Sequence, residues 1–335
     1  MPYFSTSDLH MELMKDKQYP LAFDASKPFD EQKAAVEEKF KELVGVIEKR
    51  TEPKPVIDYI KKDDERFDEI RFRFESEPGF FVPCHMLLPK NYSGKIPVVI
   101  CLQGHSTGMH ISLGRAKFPG DQNTISGGDR DFCIQAVARG YAAIAMEQRG
   151  FGELKPTVRD ERGGCTHVAL AAFELGRTLI GERIFDISQL IDTMSHFDML
   201  DTERIGLMGN SGGGTATYHA ACLEKRVKVA MPSCAFNTFE GSIMPRRHCI
   251  CNYIPGILKW MEQPDEAIMI APRPLVIVAG LKDTGFPVEF VEAGFEKVKA
   301  IYAAAGAPDN CKLMIGQEGH RFYAAQSWPL FDAFI

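Results

Sequence analysis

The sequence predicts an α/β fold in which a mostly parallel central sheet is covered by helices on both faces. Short, continuous apolar runs recur from residue 96 onward, as in strands that are buried on both faces. Stretches with apolar residues at helical spacing separate these runs. Strands that alternate with helices favour a parallel sheet. An alternating stretch near residue 70 predicts a half-buried hairpin at the antiparallel edge of that sheet.

Length and composition agree with a folded enzyme-sized chain. The 335 residues are 45% hydrophobic and 25% charged, which excludes disordered, collagen-like and low-complexity proteins. Lys and Arg number 39 against 45 Asp and Glu, so the formal net charge is −6. A nucleic-acid binder more often carries a basic excess, so no nucleic-acid partner is predicted.

Cysteine usage and the N-terminus indicate the compartment. The nine cysteines are odd in number and scattered, which argues against a disulfide framework and for a reducing environment. The N-terminus lacks a basic start followed by an apolar core. No apolar run approaches the roughly 18 residues of a membrane span. The prediction is a cytoplasmic protein with no membrane partner, and a homo-oligomer is compatible with it.

Two regions follow one another along the chain. Residues 1–65 read as an N-terminal helical extension, because apolar residues recur at helical spacing over 30–50 while charges fill the other face. Such a helix needs a surface to pack on, so we expect it to dock on the main domain. Residues 66–335 form that domain.

The elements of the main domain follow in order. Residues 71–74 alternate as a strand does, and 80–88 read as the hairpin partner. The apolar runs predict strands over 96–102, 141–146, 204–208, 227–231, 274–280 and 312–315. The two clearest helices are predicted over 178–199 and 287–304.

A G-x-S-x-G motif, Gly209–Asn210–Ser211–Gly212–Gly213, lies between a predicted strand and a predicted helix. The serine of such a motif sits on a sharp, strained turn that needs small neighbours. Its hydroxyl then projects above the sheet, and the next amide can donate to a developing oxyanion. Ser211 is therefore the predicted nucleophile and Gly212 N–H a predicted oxyanion donor. The alternative is a glycine-rich turn with a capping serine.

The predicted partners of Ser211 follow in the order acid, then histidine. Asp283 comes just after the strand over 274–280, and His320 follows the last strand. His320 is the only histidine after that acid. Glu318 is a competing acid, but it lies only two residues from His320, which makes a lateral hydrogen bond awkward. His320 would take the proton of Ser211, Asp283 would orient the imidazole, and an acyl-enzyme would form and be hydrolysed.

The second oxyanion donor should come from the loop after the strand over 96–102. Gly104 permits a turn that aims the next amide into the site, so His105 N–H is the candidate and Gln103 the alternative. An ordinary glycine turn would explain the same residues.

Two segments are predicted to border the site: an insert over 106–128 and a cap-like segment over 235–262. Both could shape the substrate pocket, and in the second segment Phe236 and Trp260 are the pocket candidates. Packing is the alternative for these aromatic side chains. His248–Cys249–Ile250–Cys251 lacks the spacing of a zinc ribbon or finger, so no metal is predicted.

Together these motifs resemble the α/β-hydrolase superfamily from about residue 66 to the end, and within it the dienelactone-hydrolase and acetyl xylan esterase branch. The sequence segments that show this resemblance include ICLQGH, EQRGFGE, GLMGNSGGG, APRPLVIVAGLKD and GQEGHRF. The branch usually has His-Gly where this chain has Gln103–Gly104, but backbone amides do not depend on that side chain. Arg149 resembles a structural arginine of the branch.

The resemblance implies a serine carboxylesterase that acts on short acyl, especially acetyl, esters without metal or organic cofactor. A small-molecule or carbohydrate ester would be the substrate. One alternative is a serine peptidase or aminoacyl amidase of the prolyl-oligopeptidase kind, although such enzymes usually carry a β-propeller before this domain. The other is a hydrolase-fold protein without turnover.

Overall fold

The computed structural model describes residues 5–48, 51–156 and 164–335 of the chain. A few residues of the predicted N-terminal extension, 1–4 and 49–50, lie outside them. The helices are α1 Thr6–Glu12, α2 Phe29–Val44, α3 Asp121–Gly128, α4 Phe132–Val137, α5 Cys165–Glu174, α6 Leu179–Met194, α7 Gly212–Leu223, α8 Ala267–Ile270, α9 Val288–Ala304 and α10 Ala324–Asp332. The strands are β1 Pro55–Lys61, β2 Phe67–Glu77, β3 Phe80–Pro89, β4 Ile96–Leu102, β5 Ala142–Met146, β6 Leu200–Asn210, β7 Val227–Ser233, β8 Leu275–Gly280 and β9 Cys311–Gly316.

The nine strands of the described residues form one sheet in the order β1-β2-β3-β5-β4-β6-β7-β8-β9. The pairs from β1 to β3 and the β3–β5 pair are antiparallel. From β5 to β9 every neighbouring pair is parallel. The predicted mostly parallel sheet is therefore confirmed, and its antiparallel part lies at one edge.

Each face of the sheet carries its own apolar core. Along β4, Val98 and Ile100 belong to the core under α6, α7 and α9, whereas Val99 and Cys101 belong to the core under α4 and α10. Successive strand residues point to opposite faces, so a continuous apolar run is what a strand covered on both sides needs. This confirms helices on both faces.

The N-terminal region is only partly helical. Helix α2 buries Val36, Phe40 and Val44, and the Phe40 ring stacks on His219 of α7 with 5.6 Å between centroids. Residues 55–61, however, form strand β1, which pairs antiparallel with β2 and lies outside the predicted hairpin. The interpretation of 1–65 as helical is wrong at this strand, because β-branched residues such as Val56, Ile57 and Ile60 favour pairing at a free sheet edge.

Arg149 has the structural surroundings that the sequence resemblance implies. Its guanidinium donates to the buried Asp186 carboxylate on α6 at 2.7 and 2.8 Å and to Glu77 on β2 at 2.7 Å. Through Arg149, these ion pairs connect the end of β2 to α6. Within the described residues, no helix is both long and apolar enough to cross a membrane.

The parallel strands bring the predicted site residues to one edge. The loops after β4, β6, β7, β8 and β9 all leave from the carboxyl ends of their strands, which meet on the same side of the sheet. Open α/β sheets bind their ligands at this edge. Gln103, Ser211, Asp283 and His320 all lie in these loops.

Candidate active site

Ser211 occupies a strained turn between β6 and α7. Its backbone has φ 58° and ψ −126°, a conformation that non-glycine residues rarely adopt. Strand β6 and helix α7 approach so closely that a Cβ on Gly209 would come within 2.5 Å of the Gly213 carbonyl oxygen. Ser211 N–H donates to the Ser233 carbonyl at the end of β7, at 2.8 Å. This is the geometry expected of a nucleophile elbow.

His320 and Asp283 form a direct pair. His320 Nδ1 lies 2.7 Å from Asp283 Oδ2, and the imidazole stacks on the Phe286 ring at 5.9 Å with 15° between the planes. The Asp283 side chain is 2% exposed, whereas that of His320 is 37% exposed. The carboxylate is therefore shielded while the imidazole can reach a ligand.

Backbone hydrogen bonds fix the loops that carry this pair. Leu281 N–H donates to the Gly316 carbonyl, and Lys282 N–H donates to the Glu318 carbonyl, each at 2.8 Å. Asp283 Oδ1 accepts from the amides of Gly285 and Phe286 at 2.9 and 3.2 Å. Both carboxylate oxygens are thus occupied by donors.

These donors decide the charge of Asp283. Burial alone would raise the pKa of this carboxyl group, but the hydrogen bond from His320 and its charge, with the two backbone amides, outweigh burial and lower the pKa. Asp283 therefore remains ionised at neutral pH. An ionised carboxylate at Nδ1 keeps the proton on that nitrogen and leaves Nε2 free to accept one.

Glu318, the competing acid, points elsewhere. Its carboxylate accepts from Arg321 Nη1 at 2.8 Å and is largely exposed. The structure therefore brings Asp283, and not Glu318, to His320. Within the described residues, Ser211 Oγ makes no direct hydrogen bond to His320. Such contacts are often long before substrate binds.

The loop after β4 crosses directly over the elbow. A Cβ on Gly104 would meet Ser211 Cβ at 2.7 Å and Gly212 N at 3.2 Å. Gln103 is 2% exposed, and its Nε2 donates to Ser112 Oγ and the Arg130 carbonyl at 2.8 and 2.7 Å. The loop around Gly104 therefore lies beside Ser211, and the choice between His105 and Gln103 as oxyanion donor stays a prediction.

A cavity of about 740 Å³ opens next to this loop. His105 and Phe151 connect it to the elbow, because a Cβ on Gly212 would lie 3.1 Å from the His105 ring and 3.4 Å from Phe151. Its remaining walls come from Lys155, the start of α5 and residues 247–250 of the cap-like segment. The cap-like segment thus borders the cavity, which carries basic groups, and its role in shaping a substrate pocket stays a prediction.

The two aromatic residues that were predicted to line the substrate pocket do not line this cavity. Phe236 is 1% exposed and packs on Tyr218 with 5.5 Å between ring centroids. Trp260 faces α2, where Lys39 Nζ lies 4.2 Å from its ring centroid. Both side chains serve packing, so their prediction as pocket residues is wrong. Their apolar character gave no means to tell a cavity wall from a core contact.

The insert over 106–128 folds around one buried carboxylate. Asp121 accepts from Thr107 Oγ1 at 2.6 Å, from His110 Nε2 at 2.9 Å and from two backbone amides. The end of the insert reaches the loop of His320, where Phe322 N–H donates to the Gly128 carbonyl at 3.0 Å.

One group of residues escaped the sequence analysis. His105, Cys165, Cys249 and Cys251 converge, with their nitrogen and sulfur atoms all within 4.8 Å of one another. His248 does not join them, since its Nε2 lies 3.0 Å from Ser242 Oγ. The four residues come from three distant parts of the chain, and only Cys249–Ile250–Cys251 gave a signal in the sequence.

Known proteins resemble the chain in sequence and in fold. The sequence model of the Abhydrolase family, Abhydrolase_7, matches residues 2–326. "Putative hydrolase YtaP" of Bacillus subtilis (strain 168) is 27% identical over 253 residues, which are 73% of this chain and 78% of that protein.

Two solved structures share the fold. One is described as a putative acetyl xylan esterase from Bacteroides fragilis, with TM-score 0.73 and 19% identity over 94% of this chain and 83% of the other. The second is a glucuronoyl esterase from Solibacter usitatus, with TM-score 0.69 and 12% identity over 95% and 97% of the two chains. The TM-scores show that these two proteins share the fold of this chain. At such low sequence identity the comparison shows the fold alone.

Proposed function

Since the chain belongs to the Abhydrolase family, within the α/β-hydrolase superfamily, we propose that it is a serine carboxylesterase that hydrolyses short acyl esters, acetyl esters first among them. The observation that carries the proposal is the His320–Asp283 pair at 2.7 Å, at the same sheet edge as the strained turn of Ser211. A shielded carboxylate, an accessible imidazole and an elbow serine are the parts that acyl transfer needs.

The reaction would proceed in two halves. His320 Nε2 accepts the Ser211 hydroxyl proton as Oγ attacks the ester carbonyl carbon, and Asp283 stabilises the imidazolium. The tetrahedral oxyanion accepts hydrogen bonds from Gly212 N–H and the His105 amide. His320 then gives its proton to the departing alkoxide, which leaves an acyl-serine. A water molecule attacks the acyl-serine by the same steps in reverse.

The cavity supports a polar alcohol portion. Its volume of about 740 Å³ can hold a sugar ring, and Lys155, Arg247 and Ser106 bring polar groups to its wall. The related structures carry the names acetyl xylan esterase and glucuronoyl esterase, which favour carbohydrate esters as a class to test. We therefore include acetylated sugars in the proposal.

The first test is hydrolysis of p-nitrophenyl acetate, butyrate and octanoate by the wild type and by Ser211→Ala. We expect turnover that favours acetate and a fall of about 10⁴-fold in kcat for the variant. Ser195→Ala, an exposed serine at the end of α6, is the matched control and should behave as the wild type.

Other outcomes point to the rival functions. Turnover of aminoacyl amides in preference to acetyl esters would indicate a peptidase or amidase. A folded wild type that fails to react with a fluorophosphonate would indicate a protein without serine-hydrolase turnover. Ester hydrolysis that survives Ser211→Ala would overturn the assignment of the nucleophile.

A further inference from the structure

His105, Cys165 and Cys249 line the cavity beside the elbow, and their nitrogen and sulfur atoms lie together with the sulfur of Cys251. Cys251 Sγ lies 3.2 Å from His105 Nε2, and Cys165 Sγ lies 4.0 Å from the same nitrogen. Cys165 and Cys251 are buried and Cys249 is half-buried. Three thiols and one imidazole thus face a common centre.

The spacing suits a tetrahedral metal ion. Zinc binds sulfur at about 2.3 Å and imidazole nitrogen at about 2.0–2.1 Å, so two ligands of a tetrahedral site lie about 3.6–3.8 Å apart. The distances of 3.2 and 4.0 Å lie on either side of that value. The upper bound of 4.8 Å for the whole set means that small side-chain movements would complete the site.

A buried cation next to the cluster is a second, independent observation. Arg183 on α6 is 1% exposed, and its Nη2 lies 3.8 Å from Cys165 Sγ. In the described part of the chain no carboxylate forms an ion pair with Arg183; its other hydrogen bonds go to the Arg149 carbonyl. A fully buried arginine needs a negative partner, and nearby thiolates can supply it.

The charges then balance. Three thiolates and a neutral imidazole around a divalent ion leave one negative charge, which the Arg183 guanidinium neutralises. All three thiols would lose their protons when the metal binds.

We propose that His105, Cys165, Cys249 and Cys251 bind one zinc ion that joins three segments of the chain at the cavity wall. The Cys₃His donor set and full coordination by side chains are typical of structural zinc sites. The ion would tie the loop after β4 to the start of α5 and to the cap-like segment.

The site would also hold the loop that crosses the nucleophile. His105 follows Gly104, and its ring lies against Gly212 and packs on Phe151 with 4.8 Å between centroids. With Nε2 bound to the metal, that ring has a fixed position beside the elbow. Zinc would thereby position the loop and take no part in the ester chemistry.

The first test measures metal content by plasma mass spectrometry after expression in zinc-supplemented medium. We expect about one zinc per wild-type chain, and less than about a tenth of that in Cys165→Ser and Cys251→Ser. Cys311→Ser is the matched control, because Cys311 is buried on β9 outside the cluster, and it should retain about one zinc.

Equal zinc in the cluster variants and the control would overturn the proposal. So would a wild type with less than about a tenth of an equivalent while thiol titration finds its cysteines reduced. A disulfide among Cys165, Cys249 and Cys251, detected by mass spectrometry of alkylated protein, would replace the metal site with a redox pair. A different bound metal would overturn the choice of zinc.

A cobalt experiment covers the case in which the variants do not fold. Wild-type protein is stripped with a chelator under reducing conditions and titrated with Co²⁺. Tetrahedral thiolate ligation predicts sulfur-to-cobalt charge-transfer absorption together with intense visible bands, saturating at about one equivalent. Weak, octahedral-type absorption without charge transfer would contradict the proposal regardless of the variants.

Discussion

The two sides of Ser211 are built in different ways. On one side, Asp283 and His320 lie in loops that directly follow neighbouring parallel strands and are joined by backbone hydrogen bonds. On the other side, His105, Cys165 and Cys251 come from a loop, a helix and a long inserted segment, and their side chains converge. The Asp283–His320 side is thus defined by the sheet, and the cysteine side by side-chain contacts.

This difference predicts different consequences of mutation. A change on the sheet side should remove chemistry and leave the fold intact, since the backbone holds the loops. A change on the cysteine side should alter ligand binding and stability first. The following experiments test that division, beginning with the largest expected effect.

Replacing the acid tests the sheet side. We expect Asp283→Asn to lower kcat for p-nitrophenyl acetate by about 10²–10⁴-fold with little change in KM, because an amide no longer fixes the tautomer of His320. Glu318→Gln is the matched control and should stay within about twofold of wild type, since Glu318 pairs with Arg321. A larger loss in Glu318→Gln than in Asp283→Asn would show that the wrong acid was chosen.

The two sides also differ in how their carboxyl groups respond to pH. Asp283 has a lowered pKa, so its contribution to stability is present above the ordinary carboxyl pKa and is lost as pH falls. Glu147, which accepts from Met109 and Glu153 amides near the cavity, is the opposite case. Burial, with the charge of Glu153, outweighs those hydrogen bonds and raises the pKa of Glu147 from 4.5 to about 7.

For Glu147 the folded chain holds a proton that the unfolded chain releases at lower pH. Its contribution to stability therefore falls as pH rises from 4.5 to about 7, by up to ~1.4 kcal/mol per pH unit. His85 and His248, whose pKa burial lowers, act in the other sense. The test is urea unfolding of Glu147→Gln and of wild type at several pH values in this window, which gives the free energy of unfolding of each.

The free energy of unfolding of Glu147→Gln relative to wild type should rise with pH across this window. Glu292→Gln on the exposed face of α9 is the control and should show a constant difference. A constant difference for Glu147→Gln as well would mean that Glu147 is ionised in the folded protein throughout.

The smallest effect concerns the corrected pocket prediction. Trp260→Leu should leave KM for p-nitrophenyl acetate unchanged and lower the free energy of unfolding by about 1–3 kcal/mol, because it removes the contact with Lys39 and packing area. Phe118→Leu, an exposed aromatic side chain, should change neither quantity. A severalfold rise in KM for Trp260→Leu would return this residue to the substrate pocket.

The features predicted most accurately from the sequence are the strands and helices that have a local pattern of apolar residues. The run over 96–102 coincides with β4, and the helix predicted over 287–304 with α9, because burial on one or both faces leaves a periodic signature. Ser211, Asp283 and His320 could be predicted as candidate site residues because each follows a strand that the sequence makes recognisable. Strand β1 was missed because its Val56, Ile57 and Ile60 side chains are exposed at an edge and mark no core.

Contacts between distant segments left no such signature. Cys165 stands 60 residues from His105 and still approaches it. Phe236 and Trp260 have the composition of a pocket, and only the packing of Tyr218 and α2 against them shows otherwise. Such contacts join residues that are far apart in the chain, so no short stretch of the sequence reveals them.

The docking of the N-terminal extension has a practical consequence. Leu21 N–H donates to the Trp260 carbonyl and Phe23 N–H donates to Asp265 Oδ1, each at 2.9 Å. Asp265 in turn pairs with Lys297 of α9 at 2.9 Å. Trimming the chain to residue 66 would therefore remove hydrogen bonds that hold the far end of the cap-like segment. We expect the extension and the main domain to unfold in a single cooperative transition, so a truncation series should keep them together.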